Sequence, residues 1–290
     1  MPLHEFNAMK SLFDAASDCL MANTIDAKLR LTRQTAQAWH DGKLSLASAG
    51  TAMPPGAPGR PAQPMLIAPE AVPRRSLRTK AGWIALIHAI THIEFNAINL
   101  AWDAVYRFRD LPEPYYSDWI RVASEEAYHF CLLRQRLQDL GSDYGDLPAH
   151  DELWEMAIRT AADPLLRMAL VPRVLEARGL DVTPGIIRKL QQAGDHKTAA
   201  ILEIILHDEI GHVAIGSHWF HHLCTQRGLD AELTFHSLVR QNITGQISGP
   251  LHRAARQQAG FSTAELDELE RLAILKGSVP PATTPCPTQD

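Results

Sequence analysis

The chain has 290 residues, of which 46% are hydrophobic and 21% charged, and its formal net charge is -5. This composition is typical of a soluble globular protein with a sizeable core, and the slight acidic excess argues against a dedicated nucleic-acid binder. The scattered cysteines, the absence of a long apolar run and the charged N-terminus give no sign of a disulfide framework, a membrane span or a signal peptide. We therefore expect a cytoplasmic protein with no membrane partner.

The N-terminal region is predicted to form a helix followed by a connector. Residues 4 to about 42 have apolar residues at helical spacing. Residues 48–75, "SAGTAMPPGAPGRPAQPMLIAPEAVPRR", are so rich in proline and glycine that we expect an extended connector. We assign 1–78 to this helix and connector. The region ends in a run of basic residues, Arg74, Arg75, Arg78 and Lys80. We interpret this run either as the solvated start of a helix or as a contact for phosphate or for a partner such as RNA.

The rest of the chain is predicted to be helical. Long helical segments are expected at 79–108, 116–139, 151–178 and 195–226, with helix ends near Pro112, Pro148 and Pro184. We assign 79–226 to a helical core domain, 227–276 to C-terminal flanking helices and 277–290 to a disordered tail. Because sustained alternation of apolar and polar residues is absent, the predicted fold class is all-α.

Each long segment carries titratable residues in the middle of an otherwise apolar helical face. The four faces together carry Glu94, then Glu126 and His129, then Glu176, then Glu209 and His212. A buried carboxylate costs several kcal/mol unless a positive group meets it. The faces offer only one cation, Arg173, whereas two divalent metal ions would balance the glutamates. Glutamate and imidazole suit iron, with manganese or a mixed Mn/Fe pair as alternatives.

The spacing of these residues repeats along the chain. The step from Glu94 to Glu176 is 82 positions, and the step from the first Glu-x-x-His to the second is 83. This is the known ligand pattern of dimetal carboxylate sites in four-helix bundles. Glu125 and Asp208 each lie four residues before a predicted histidine ligand. We expect each to accept the free N–H of a metal-bound histidine of the opposite half.

Neighbouring residues have less specific interpretations. His88 and His92 lie off the Glu94 face, so we expect histidines satisfied within the core rather than metal ligands. Pro172 lies one turn before Glu176 and is expected to kink its helix.

The runs "HIEFNAINLAWDAVYRF", "EEAYHF", "MALVPRVLEARGLDVTPG" and "LHDEIGHVAIGSHWF" resemble an uncharacterised bacterial family of the ferritin-like superfamily. Members are sometimes titled rhamnosyltransferases, but an all-α chain offers no nucleotide-sugar fold. The resemblance implies a ferritin-like four-helix bundle and a dimetal site at Glu94, Glu126, His129, Glu176, Glu209 and His212. It implies no substrate. A more distant likeness to tRNA-hydroxylating di-iron enzymes is an analogy of fold alone.

The leading functional prediction is an oxidoreductase in which two iron ions use O₂ to oxidise an unknown small or macromolecular substrate. Because no dinucleotide fingerprint is present, a separate electron donor is expected. Two alternatives stay open. One is an iron-handling protein with ferroxidase or peroxide-consuming activity. The other is a non-enzymatic scaffold protein that binds a partner and whose metal ions only stabilise its fold. The sequence does not indicate nucleic acid and is compatible with a homo-oligomer.

Overall fold

The computed structural model describes residues 10–47, 56–73, 77–242 and 250–277, and within these ranges the protein is all-helical, as predicted. The helices in chain order are α1 (Leu12–Met21), α2 (Ile25–His40), α3 (Lys80–Arg107), α4 (Glu113–Asp139), α5 (Glu152–Arg159), α6 (Pro164–Leu170), α7 (Ala177–Gln192), α8 (His196–Gln226), α9 (Ala231–Asn242), α10 (Arg253–Gln258) and α11 (Thr263–Gly277). No strand occurs in the described ranges, where extended pairing is limited to isolated bridges.

The chain divides into two compact units. The larger unit comprises Met1–Arg167 and Ile186–Asp208, and the smaller unit comprises Met168–Gly185 and Glu209–Asp290. The boundaries fall within α6, α7 and α8, so each of these helices contributes residues to both units.

In the larger unit, α1 and α2 pack on the long pair α3 and α4. The single helix predicted for residues 4–42 is two helices where the structure describes it, because Thr24 starts a new one. The Thr24 side chain accepts a hydrogen bond from the Ala27 N–H, as an N-cap residue does. A hydrogen bond from Trp102 Nε1 to Thr32 Oγ1, 2.9 Å long, ties α3 to α2.

Helices α3 and α4 begin and end close to their predicted bounds. Thr79 caps α3 by accepting from the Gly82 N–H, and Pro112 precedes the first turn of α4, where its missing N–H is harmless. By length and composition α3 could cross a membrane, since an 18-residue stretch of it has a mean hydropathy of 1.2, but 67% of that 18-residue stretch is buried within the protein. Among the described residues, it is the helix that passes this test, and such burial is that of a core helix.

The prediction of one continuous helix over 151–178 is wrong. The structure has α5, α6 and a π-helical segment, Val171–Glu176, in that region. Asp163 accepts from the Leu165 N–H and is followed by a proline at the first position of α6, a combination that starts a new helix. The predicted distortion at Pro172 is present as the π-helical segment itself.

Pro184 was expected near a helix end but lies inside α7, so that expectation is wrong. The turn before it is held by tertiary contacts, which override the local preference of proline. Asp181 forms a buried ion pair with Arg256 at 2.7 Å and also accepts from the His252 N–H.

The described part of the connector, 56–73, is extended apart from a 3-10 turn at Pro69–Ala71, and it is attached to the larger unit at several points. The Gly59 N–H donates to Leu20 O, and a Cβ at Gly59 would lie 2.1 Å from Met21 O, so only glycine fits this approach. Further along, Arg60 forms a two-bond ion pair with Asp151. Arg74, Arg75 and the predicted tail from residue 278 lie outside the described residues.

Candidate metal centre

Helices α3 and α4 bring three of the predicted ligands together inside the larger unit. Glu94, Glu126 and His129 each offer one atom that could bind a metal ion, and these three atoms lie within 4.8 Å of one another. The three residues are only 3%, 1% and 0% exposed, respectively. Their burial follows from the helical periodicity, since each occupies the middle of the apolar face predicted from the sequence.

The imidazole of His129 has a different partner at each nitrogen. Its Nδ1 lies 3.2 Å from Glu94 Oε2 and 3.5 Å from Glu126 Oε2. Its Nε2 lies 3.0 Å from Asp208 Oδ2, on the part of α8 that belongs to the larger unit. With Nε2–H donating to Asp208, Nδ1 is the nitrogen that faces the two glutamates and could bind a metal ion.

The electrostatics of this cluster favour a bound cation. Burial, together with the nearby charge of Glu126, raises the pKa of Glu94 well above its ordinary value. Burial disfavours the charged form of His129, but its hydrogen bonds to Glu126 and Glu94 outweigh that and raise the pKa of His129 to about 11. Two carboxylates and an imidazole thus retain a proton that a metal ion would replace.

The fully buried cations of the larger unit serve other groups. Lys28 donates to Leu20 O and Asn99 Oδ1, at 2.8 Å and 2.6 Å. Arg167 forms an ion pair with Asp103 at 2.7 Å. Neither side chain has a hydrogen bond or ion pair to the cluster, whereas His129 pairs with both of its glutamates.

The smaller unit carries the other three predicted ligands. Glu176 is the last residue of the π-helical segment and is partly buried, as is Glu209, whereas His212 is buried. His212 Nδ1 lies 3.9 Å from Glu209 Oε1, one turn away on α8. In the same unit, the ring of Pro172 packs against Gly216 so closely that an added Cβ would lie 2.4 Å from it.

Arg173, the cation on the predicted third face, does not balance the glutamates of the predicted site. It is fully buried and pairs with Glu265 at 2.7 Å, with a further hydrogen bond to Ser217. The guanidinium also lies over three aromatic rings, at 4.7, 4.2 and 4.5 Å from the centroids of Phe220, Phe235 and Phe261. Arg173 therefore anchors the core of the smaller unit.

His88 and His92 are satisfied within the core, which confirms their predicted role. His92 bonds through Nδ1 to the Tyr144 hydroxyl at 2.9 Å, and His88 Nε2 accepts from the Gly145 N–H at 3.0 Å. The ring of Tyr144 stacks on both imidazoles. Sequence reasoning missed Tyr144, because a single tyrosine in a loop carries no periodic signal.

The remaining predicted residues lie at three separate places. Asp208 contacts His129 as described, and Glu125 is partly buried on α4 beside Glu126. Arg78 and Lys80 are exposed at the start of α3.

Comparison with known proteins places the chain in a family. The family model described as "Protein of unknown function (DUF455)" matches residues 21–267. A protein of Haemophilus influenzae named "Uncharacterized protein" is 51% identical over 214 residues, covering 71% of this chain and 74% of that protein. No solved structure matches the chain. The extent of the family match shows that this chain belongs to the DUF455 family.

Proposed function

We propose that this protein is a dimetal carboxylate oxidoreductase of the ferritin-like type, most simply with iron, that uses O₂ to oxidise an organic substrate in the cytoplasm. The observation that carries the proposal is the buried cluster of Glu94, Glu126 and His129. Burying two carboxylates next to each other costs stability, and a divalent cation is the simplest group that offsets this cost.

The donor atoms fit a metal ion of the iron or manganese class. Carboxylate oxygens and an imidazole nitrogen form the ligand set that such ions accept, whereas a site for zinc in a structural role would be richer in cysteine. The three side chains converge within 4.8 Å, a spacing at which one ion can reach all of them with small rotamer adjustments.

A second metal ion is proposed on the strength of the sequence repeat. Glu176, Glu209 and His212 repeat the spacing of the first three ligands, and His212 and Glu209 face each other on α8. Together the six residues make up the ligand set of the ferritin-like dimetal proteins, and the proposed four-helix bundle follows from that same set.

Bound metal ions of this class would supply redox chemistry with O₂, which side chains alone lack. The residues around the metal ions would bind and orient the substrate and would exclude water. Asp208 accepts a hydrogen bond from the Nε2–H of His129, which fixes the imidazole ring so that Nδ1 would face the metal ion. Phe95 and Phe130, the chain neighbours of Glu94 and His129, are buried and pack with ring centroids 5.4 Å apart, which keeps this region of the core apolar.

A separate electron donor is part of the proposal, because hydroxylation of a substrate by O₂ places one oxygen atom in the product and reduces the other to water, which takes two electrons from a donor. The free thiols of Cys19, Cys131 and Cys224 agree with a reducing compartment.

The proposal is tested by the consumption of O₂ by Fe(II)-loaded protein, measured with an oxygen electrode while a chemical reductant and candidate substrates are varied. We expect consumption that continues only when a substrate is present. The variant Glu94→Gln should abolish it, while Glu113→Gln, which alters an exposed carboxylate on α4, should leave it unchanged.

Two other outcomes would redirect the assignment. Oxidation of added Fe(II) by O₂ with no requirement for an organic substrate would identify an iron-handling protein. Full retention of O₂ consumption in Glu94→Gln would refute the proposed site.

A further inference from the structure

The core of the larger unit contains a lysine that is not paired with an acid. Lys28 on α2 is fully buried and donates to Leu20 O and Asn99 Oδ1, at 2.8 Å and 2.6 Å. Among the residues that the structure describes, no carboxylate accepts a hydrogen bond from it. Because an ammonium group carries three N–H donors, these two bonds leave one donor of a charged Lys28 for another acceptor.

Arg60 lies close to Lys28 although it belongs to the connector. The Gly59 N–H donates to Leu20 O, the same carbonyl oxygen that Lys28 uses. Burial is the main cause of the lowered pKa of Lys28, and the positive charge of Arg60 adds to it. The two terminal nitrogens of the Arg60 guanidinium bond to Asp151, at 2.7 Å and 2.6 Å, so its Nε–H is the donor that remains.

A chain of contacts leads from Asp151 back to α3. The preceding residue is His150, whose carbonyl oxygen lies 3.0 Å from His92 Nε2. The amide nitrogen of Asn96 lies 2.9 Å from the same His92 nitrogen. Asn96 and Asn99 are three positions apart on one helix, which puts their Cβ atoms about 5–6 Å apart. The contacts therefore close a loop around one small region between α2, α3 and the connector.

Three buried polar atoms of this region have no hydrogen-bond partner among the described residues. They are Asn99 Nδ2, Asn96 Oδ1 and Arg60 Nε. Asn99 is 0% exposed and Asn96 is 1% exposed, so bulk solvent does not serve their amides. A buried polar atom without a partner costs stability, and native cores contain few of them. The three atoms fit a ligand that accepts from two N–H groups and donates to one carbonyl oxygen.

The charges of the region favour a negative ligand. Cys19 lies near Lys28, but burial raises the pKa of Cys19 to about 11, so its thiol is neutral. The carboxylate of Asp151 is already paired with Arg60. The pKa of Lys28 is lowered to about 7, mainly by burial, and a negative charge beside its amine would restore the charged form near neutrality.

We propose that this region binds a small monovalent oxyanion that carries a hydroxyl group, of which hydrogencarbonate is the simplest. The anion accepts from the N–H groups of Lys28, Asn99 and Arg60, and its hydroxyl donates to Asn96 Oδ1. The side chain of Arg60 is 15% exposed, which gives the site one edge at the protein surface. The proposal does not depend on the metal function, because none of these residues is a predicted metal ligand.

The test is thermal unfolding of the full-length protein in increasing sodium hydrogencarbonate, at constant pH and ionic strength, on metal-free and on metal-loaded samples. We expect a saturable rise of Tm in both samples. Nitrate has the same charge and the same planar shape but no hydroxyl, so it leaves Asn96 Oδ1 without a donor. It should therefore bind about two- to tenfold more weakly than hydrogencarbonate. In nitrogen-15 NMR spectra, the side-chain amide signals of Asn96 and Asn99 should shift over the same range of hydrogencarbonate concentration.

Matched variants locate the site. Lys28→Met removes the charge and should abolish the rise of Tm, whereas Lys189→Met, at an exposed position, should retain it. Asn99→Asp places a carboxylate beside Lys28, so the variant should fold and should no longer bind the anion. Asn96→Leu should bind hydrogencarbonate and nitrate equally, because the acceptor that distinguishes them is removed.

Four results would overturn the proposal. These are the absence of a saturable rise of Tm, an equal rise in the wild type and Lys28→Met, nitrate binding as tight as that of hydrogencarbonate, and a crystal structure grown in hydrogencarbonate with only water on the three atoms. Binding to the metal-loaded sample alone would place the anion on the metal ions and would also overturn it. Because metal-free protein is tested alongside, failure of the proposed metal function does not affect the result.

Discussion

The buried side chain of Lys28 makes the stability of the larger unit depend on pH in a specific way. Lys28 is fully buried and donates to two carbonyl-type oxygens, Leu20 O and Asn99 Oδ1, and it meets no carboxylate among the residues that the structure describes. Burial lowers the pKa of Lys28 from 10.5 to about 7. The folded protein therefore releases this proton near neutrality, whereas the unfolded chain retains it up to pH 10.5.

The sign and size of the effect follow from linkage. Between pH 7 and 10.5 the unfolded state binds one more proton than the folded state at this site, so the free energy of unfolding rises with pH. The slope reaches about 1.4 kcal/mol per pH unit, and the whole window is worth on the order of 5 kcal/mol. Below pH 7 both states are protonated and the contribution of this residue is constant.

The assay is urea denaturation followed by circular dichroism from pH 6 to 10, comparing the wild type with Lys28→Met. In the variant, the rise in the free energy of unfolding with pH that Lys28 causes above pH 7 should disappear. Lys189→Met, at an exposed position on α7, should retain the wild-type profile. Other titrating groups cancel in the difference between variant and wild type. Parallel profiles for wild type and Lys28→Met would refute the reasoning.

Two further predictions concern the candidate centre, and a third concerns the packing of the smaller unit. Because the pKa of His129 is raised to about 11 without metal, metal binding should release a proton, and affinity measured by competition with a chelator should rise from pH 6 to 8; a pH-independent affinity would contradict this. Asp208→Ala should lower metal affinity by about 10- to 100-fold by removing the acceptor for His129 Nε2–H, and unchanged affinity in equilibrium dialysis would show that this contact is dispensable. Gly216→Ala places a Cβ 2.4 Å from Pro172 and should destabilise the protein by about 1–3 kcal/mol in chemical denaturation, whereas Gly211→Ala, with open space around it, should be neutral or stabilising.

The sequence predicted the long helices well because their signals are local. Apolar residues at helical spacing and Pro112 indicated the bounds of α3 and α4, and in the structure Thr79 caps the start of α3. The burial of Glu94, Glu126 and His129 followed from the same periodicity. Asp208 was singled out by its spacing before His212, and the structure places its carboxylate at His129 Nε2.

The features that the sequence did not reveal depend on contacts between distant residues. Arg173 pairs with Glu265, 92 positions further along the chain, and nothing in the local pattern of either residue indicates this. Pro184 stays within α7, where contacts of Arg256 with the preceding turn act against the helix-breaking tendency of proline. The role of Tyr144 depends on a loop conformation that brings its hydroxyl to His92.

The central claim is that the buried carboxylate and histidine cluster binds metal. The most direct test is the metal content of protein purified without oxygen and of protein reconstituted with Fe(II), measured by inductively coupled plasma mass spectrometry. We predict two iron ions per chain in the wild type, loss of bound iron in Glu126→Ala, and unchanged content in Glu113→Gln. Wild-type protein that stays folded yet retains no metal, or that binds a single zinc ion, would contradict the account.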